Sequence, residues 1–211
     1  FNAEIRALIL ERASEGFDWK DISPTIFGAV FESTLNPETR RAGGMHYTSI
    51  ENIHKVIDPL FLHDLKVEFQ DICKIAQPKT KRNKLDAFQH KLATIVCLDP
   101  AAGSGNFLTE TYLSLRRLEN QVLKERLDGQ MTMGDEELNP IQVSIQQFYG
   151  IEINDFAVTV AKTALWIAES QMINETEKIM GQTIDFLPLT TNAFIVEGNA
   201  LRMDWAPLKP L

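Results

Sequence analysis

With 211 residues the chain has room for one good hydrophobic core, or for one core and a small helical lobe. Hydrophobic residues make up 44% and charged residues 24%, as in an ordinary soluble globular protein, and no apolar run approaches the ~20 residues that span a bilayer. A formal net charge of −8 argues against nucleic-acid binding by this stretch alone, because phosphate neutralisation dominates such binding.

Residues 1 to about 93 read as helical. Between Ala3 and Ala13, Ile5, Leu8, Ile9 and Arg12 recur at helical spacing, and Gly16 ends the run. Ser23-Pro24 is an N-cap and first-turn pair. Behind it Ile26, Phe27, Val30 and Phe31 form an apolar stripe, expected as plain core, ending before Asn36-Pro37. Thr39 to Ser49 lacks periodicity, contains two adjacent glycines, and offers Thr48 or Ser49 as N-cap of a helix from Ile50. That helix should turn Ile53, Val56 and Ile57 inward. The loop before it either holds a ligand or merely connects, and its residues alone do not choose. Asp58-Pro59 interrupts the helix, and the pattern resumes from Leu60 to Ile75. Lys79, Lys81, Arg82 and Lys84 read as a solvated face, with a phosphate contact as the alternative. A short helix carrying Leu85, Phe88 and Leu92 follows.

Thr94 to Leu98 is a short continuous apolar run that predicts a buried parallel strand. Asp99 stands at its carboxyl end, Pro100 stops the ladder, and Gly103 and Gly105 allow a tight turn. A helix begins at Asn106, with Leu108, Thr111, Tyr112, Leu115 and Leu118 on one face. Open α/β sheets bind ligands at such corners. A dinucleotide fingerprint would need a third glycine where Leu108 stands, and no Gly-Lys-Ser/Thr follows, so a P-loop is excluded. A carboxylate beside a glycine turn suits a ligand with an ammonium group and no phosphate, and S-adenosylmethionine fits. The alternative is an ordinary strand-turn-helix corner with Asp99 as a cap.

Gly129 to Pro140 looks like a polar insertion. A second strand is predicted at Phe148 to Glu152, and then a helix capped by Asn154 and started by Asp155. Its inner face is Ala157, Val160, Ala161, Ala164, Leu165 and Ala168, small enough to lie close on a sheet. Residues 174 to 192 read as a loop, and Ala193 to Glu197 as a third strand followed by Gly198-Asn199-Ala200-Leu201. No internal repeat appears. Asp99, Glu152 and Asn199 occupy equivalent positions after three successive strands, and right-handed crossovers would set them along one rim of a parallel sheet. Asp99 suits the amino-acid part of such a ligand, Glu152 both ribose hydroxyls, and Asn199 an adenine edge. Singly, Glu152 and Asn199 also read as caps; three in chain order favour one shared ligand.

Asp99-Pro-Ala-Ala-Gly-Ser-Gly-Asn-Phe-Leu108 resembles the cofactor motif of adenine-specific DNA methyltransferases that act on the exocyclic N6 amine. Gly44-Met45-His46-Tyr47-Thr48-Ser49 is similar to the loop those enzymes place before it, with Ser49 where proline is usual. Tyr149-Gly150-Ile151-Glu152-Ile153-Asn154 resembles their ribose-binding strand, and Gly198-Asn199-Ala200-Leu201 their adenine motif, with Asn199 where Asp is commoner. The order is similar to the gamma class, and the wording to the large type II restriction-modification methylases, some fused to a nuclease. The resemblance covers about Asp18 to Trp205. It implies an α/β, Rossmann-like S-adenosylmethionine-dependent methyltransferase with a partial parallel sheet. An N-terminal helical segment, 1–93, would hold the Tyr-Thr loop, and 94–211 would be an incomplete cofactor-binding domain. Cofactor contacts would come from Thr48, Asp99, Ala101, Gly103, Gly105, Phe107, Glu152, Ile153, Asn199 and Ala200, with no metal.

The family's catalytic Asn-Pro-Pro-Tyr/Phe is absent, since Asn36-Pro37 precedes Glu38 and Asn139-Pro140 precedes Ile141. The chain starts at Phe1 and stops at Leu211, which reads as a piece cut from a longer protein, with the motif expected just beyond. The piece is therefore expected to bind the cofactor without methylating, and to leave its first strand as an exposed edge open to self-association. Double-stranded DNA would be met through other regions. Cys73 and Cys97 lie in different elements and no signal peptide is seen, which favours reduced thiols and the cytoplasm. An RNA or protein-glutamine methyltransferase is the rival enzyme, and a non-catalytic S-adenosylmethionine-binding module the rival without chemistry. A nicotinamide oxidoreductase is the third, short of a glycine.

Overall fold

A computed structural model describes residues 3–8, 10–11, 22–34, 48–128, 140–184 and 192–208. Three strands form one parallel sheet in chain order: β1 (Cys97–Asp99), β2 (Phe148–Glu152) and β3 (Phe194–Glu197). Cys97 lies opposite Phe148 and Asp99 opposite Gly150; across the next pair, Tyr149 faces Phe194 and Glu152 faces Glu197. Before the sheet come α1 (Ala3–Leu8), α2 (Pro24–Thr34), α3 (Ile50–Ile57), α4 (His63–Cys73) and α5 (Pro78–Thr94). Among the described residues each crossover carries one long helix, α6 (Asn106–Asp128) after β1 and α7 (Asp155–Met180) after β2.

β2 is buried along its whole length because both its edges are paired and both its faces covered. Strand alternation sends Phe148 into the main core under α6, edge-to-face with Tyr112 at 5.6 Å. Tyr149 and Ile151 go to the opposite face, where Leu208, Val196 and Met203 cover them. Tyr149 also stacks on Phe194 at 4.9 Å across the β2–β3 pair. The alanine face expected of α7 is buried as read, from Ala157 through Ala168, and lets α7 close against α6.

Several expectations are corrected. β1 begins only at Cys97, since Thr94 ends α5, and the strand is only partly buried: Cys97 packs against the main core, but Leu98 is 42% exposed, as is Val96 just before the strand at 48%. Its place at the edge of the described sheet leaves one side without a paired neighbour. α7 runs through the expected loop as far as Met180, because Met172, Ile173 and Thr176 are buried and Thr176 Oγ1 donates to Asn120 Oδ1 at 2.7 Å. The interruption expected at Asp58-Pro59 is present: α3 ends at Ile57, and a π turn over Asp58–Leu62 carries the chain past the proline ring into α4. The basic run opens α5 rather than preceding a short helix, and Lys81 pairs with Glu125 while Lys79, Arg82 and Lys84 are exposed. Ile26, Val30 and Val56 face outward, while Thr25 on α2 and Ile53 and Ile57 on α3 are among the described buried positions. Phe31's side chain, residues 39–47 and 129–139, Ile9, Arg12, Gly16 and 185–191 lie outside the described set.

Candidate functional site

β1 and β2 are parallel neighbours, so their carboxyl ends meet at one rim, and the turn after β1 folds over the end of β2. Ala102 N–H donates to Ile151 O at 3.0 Å, and Gly105 N–H closes the turn on Ala102 O at 2.8 Å. Gly103 and Gly105 both have left-handed backbones, φ 55° and 79°. At Gly105 a Cβ would come within 2.7 Å of the Ala161 Cβ on α7, so hydrogen is the only side chain that fits.

Glu152 ties this corner together. Its Oε2 accepts from Gly103 N–H at 2.8 Å and its Oε1 from Asn154 N–H at 3.0 Å. The backbone carbonyl of Glu152 also accepts from Gly198 N–H at 2.9 Å, which brings the turn after β3 alongside. In that turn Asn199 Oδ1 accepts from Leu201 N–H at 3.0 Å. Asn154 Oδ1 caps α7 through Ala157 N–H at 3.0 Å, as expected. Asp99 Oδ1 holds Ala101 N–H at 2.9 Å. Burial raises the Asp99 pKa, and the Glu152 charge raises it further against that hydrogen bond. Two carboxylates thus share a half-buried corner in which a cation would relieve both.

Thr48, Asp99, Ala101, Gly103, Phe107, Glu152, Ile153, Asn199 and Ala200 line one hollow of about 590 Å³. Of the residues singled out from sequence, Gly105 alone stays off the lining; it lies beneath, against α7. Ser104, Asn106 and Leu201 also line the hollow and were not singled out. Asn106 is buried with its Oδ1 lacking a described partner, while Leu201 stands almost fully exposed at the rim. Periodicity gives no signal for either, since both sit in turns or at a helix start. Ser49, not Thr48, caps α3, its Oγ accepting from Asn52 N–H at 3.4 Å, which leaves Thr48 to face the hollow.

A larger cleft of about 1100 Å³ opens between α2, α6 and α7. No strand end lies on its lining, and its glycine turn, at Gly181, is the C-cap of α7 and not a strand-to-helix corner, so the smaller hollow is the candidate site despite the volumes. Among the described residues no three His, Cys, Asp or Glu side chains cluster to hold a metal ion, and no helix is long and apolar enough to cross a membrane.

The sequence family described as MmeI, DNA-methyltransferase domain, matches residues 75–211. DNA methyltransferase A of Bacillus subtilis strain 168 is 42% identical over 211 residues, which is 100% of this chain and 23% of that protein. A Methanocaldococcus jannaschii protein named as a type II restriction enzyme and methyltransferase is 28% identical over 179 residues, 74% of this chain and 15% of its own. The solved structure of the Type IIL restriction-modification enzyme MmeI in complex with DNA superposes with a TM-score of 0.83 at 38% identity, over 99% of this chain and 27% of that one. The chain thus spans about a quarter or less of each of these proteins.

Proposed function

The chain belongs to the family of the MmeI DNA-methyltransferase domain, and on that footing we propose that it is the cofactor-binding part of a restriction-modification DNA adenine-N6 methyltransferase, with S-adenosylmethionine as methyl donor. The observation that carries the reading is the single hollow shared by Asp99, Glu152 and Asn199. Each has the chemistry the ligand needs. Asp99 is an acid beside a second acid and suits the ammonium of the amino-acid part. Each Glu152 oxygen accepts one backbone N–H, and a carboxylate oxygen has a second lone pair, so two ribose hydroxyls can still donate to it. Asn199 Oδ1 is taken by Leu201 N–H, which leaves its NH₂ to donate to an adenine ring nitrogen.

Thr48, Ala101, Gly103, Ile153 and Ala200 wall the ligand, Phe107 offers it an aromatic side, and Gly105 shapes the turn from below. Bound there, S-adenosylmethionine supplies a methyl group made electrophilic by its sulfonium. The chain's own part is to orient that group. Methyl transfer is largely positioning of the acceptor nitrogen, after the base has left the stack. No Asn-Pro-Pro-aromatic to hold such a base occurs in these 211 residues, so they are not expected to methylate unaided. The charge of −8 agrees with double-stranded DNA being met elsewhere in a longer protein. The β1 edge, unpaired among the described strands, is the surface through which copies would associate, and a cytoplasmic setting fits the unpaired thiols.

Calorimetric titration with S-adenosylmethionine against NAD tests the site. Binding of the first alone supports the reading, whereas binding of NAD, or of neither, overturns it. Radiolabelled methyl appearing in DNA with this chain as sole enzyme would overturn the division of labour.

A further inference from the structure

α3 starts two residues after a wall of the hollow and carries an imidazole one turn in. Thr48 lines the hollow, Ser49 caps α3, and His54 follows on the helix. His54 Nδ1 lies 3.0 Å from Asp58 Oδ1, and its Nε2 lies 3.1 Å from Glu110 Oε1. Glu110 stands on α6 one turn beyond Phe107, so the two share a face. Phe107 lines the hollow too, and packs against Ile53, Ile57 and Leu62. α3 therefore meets α6 through an apolar contact at Phe107 and an ionic one at Glu110. Glu110 is 2% exposed, and its described partners are His54 and, at 3.3 Å on the same oxygen, Arg117. A carboxylate so buried holds its cations firmly, because parting them strands the charge.

We propose that His54 is a positioning residue for cofactor binding: its bridge from Asp58 to Glu110 fixes α3 on α6 and so holds Thr48 and Phe107 at the hollow. The inference rests on that hollow being the S-adenosylmethionine site. Both ring nitrogens face carboxylates, so the imidazolium is the form that donates to both. Burial alone lowers the His54 pKa, but the hydrogen bonds and charges of Asp58 and Glu110 outweigh it and the pKa is raised. The other charges here are Lys66, 3.6 Å from Asp58, and Arg117 beyond Glu110. The bridge is complete below the ordinary histidine value of 6.5 and is lost as pH rises through the higher folded value.

The test uses the full chain with S-adenosylmethionine as probe, comparing the unaltered protein with His54→Gln and with the double variant His54→Gln/Glu110→Gln. Affinity is measured by calorimetry from about pH 5.5 to about 8.5, and α3 amide hydrogen exchange is followed without ligand. His54→Gln should weaken binding about fivefold at the acid end and speed exchange within α3. The gap to the unaltered chain should close as pH rises. Should His54→Gln not fold because Glu110 is stranded, the double variant removes the buried charge and carries the same comparison. Faster α3 exchange with unchanged affinity overturns the proposal, as does weaker binding with unchanged exchange, or a gap that ignores pH. No binding by the unaltered chain overturns the reading of the hollow, and this inference with it.

Discussion

The Glu152 carboxylate accepts the Gly103 N–H at 2.8 Å, so the acid that ends the second strand holds the turn that follows the first. Its other oxygen takes the Asn154 N–H and sets the start of α7. Glu152→Ala removes both acceptors from a buried corner and should destabilise the chain by about 2–4 kcal/mol, as stranded N–H groups do. S-adenosylmethionine binding should weaken by more than about tenfold. Glu152→Gln keeps the volume but turns an amide NH₂ toward one of the two N–H groups, and should lie between. Urea unfolding and calorimetry on the same preparations measure both losses; a loss of affinity without loss of stability would show that the turn does not lean on this side chain.

Gly103 and Gly105 separate backbone strain from crowding. Both have positive φ, but a Cβ on Gly103 meets nothing within 4 Å, whereas one on Gly105 strikes Ala161 at 2.7 Å. Gly103→Ala should therefore cost about 1 kcal/mol, the left-handed penalty alone. Gly105→Ala adds a clash with a helix in the core and should cost about 2–4 kcal/mol. Chemical denaturation of the two variants decides it, and equal losses would mean that α7 gives way at no energetic penalty.

What the sequence displayed, and what it hid, follows from where each signal lies. β2 could be bounded to the residue because its pairing and covering are complete, so its apolar pattern is uninterrupted. β1 could not, because the run from Thr94 mixes the end of α5 with a strand that has no partner on its outer side among the described residues, and an apolar run does not say which side a strand lacks. Asn174, Glu175, Glu177 and Lys178 read as a loop, yet Thr176 between them is buried against Asn120 of α6, a contact 56 residues away. The strand-end residues were legible because chain order and parallel pairing carry them to one rim. The bond from Gly103 to Glu152 spans 49 residues and that from His54 to Glu110 spans 56, so neither leaves a mark at local spacing.

Cys97 sits two residues before Asp99, yet its thiol is a poor nucleophile. Burial pushes its pKa up to about 11. At pH 7.5 less than about 0.1% is thiolate, so iodoacetamide should label it far more slowly than a free cysteine. Cys73 is also raised by burial, with the Glu125 charge adding to it. A mass-spectrometric time course follows each site, and rapid labelling at Cys97 would mean that β1 opens far more than its packing beside β2 suggests.

Asp99 gives the sharpest separation of binding from folding. Its carboxyl binds a proton more tightly in the folded chain, because burial and the neighbouring Glu152 charge both raise its pKa above 3.8. A raised carboxyl makes the fold more stable when protonated, and that stability is lost as pH rises from the unfolded value through the folded one. At neutral pH the ionised Asp99 is therefore a burden on the ligand-free chain. Asp99→Asn removes the charge and keeps an oxygen for the Ala101 N–H, so the ligand-free variant should unfold at higher urea than the unaltered chain. It should also lose S-adenosylmethionine affinity by about tenfold or more, since an ammonium–carboxylate bond becomes a neutral one. For the unaltered chain, affinity should fall as pH drops through the folded Asp99 value. Stability and affinity moving together, both down, would make Asp99 a structural cap of the turn and not a partner of the ligand.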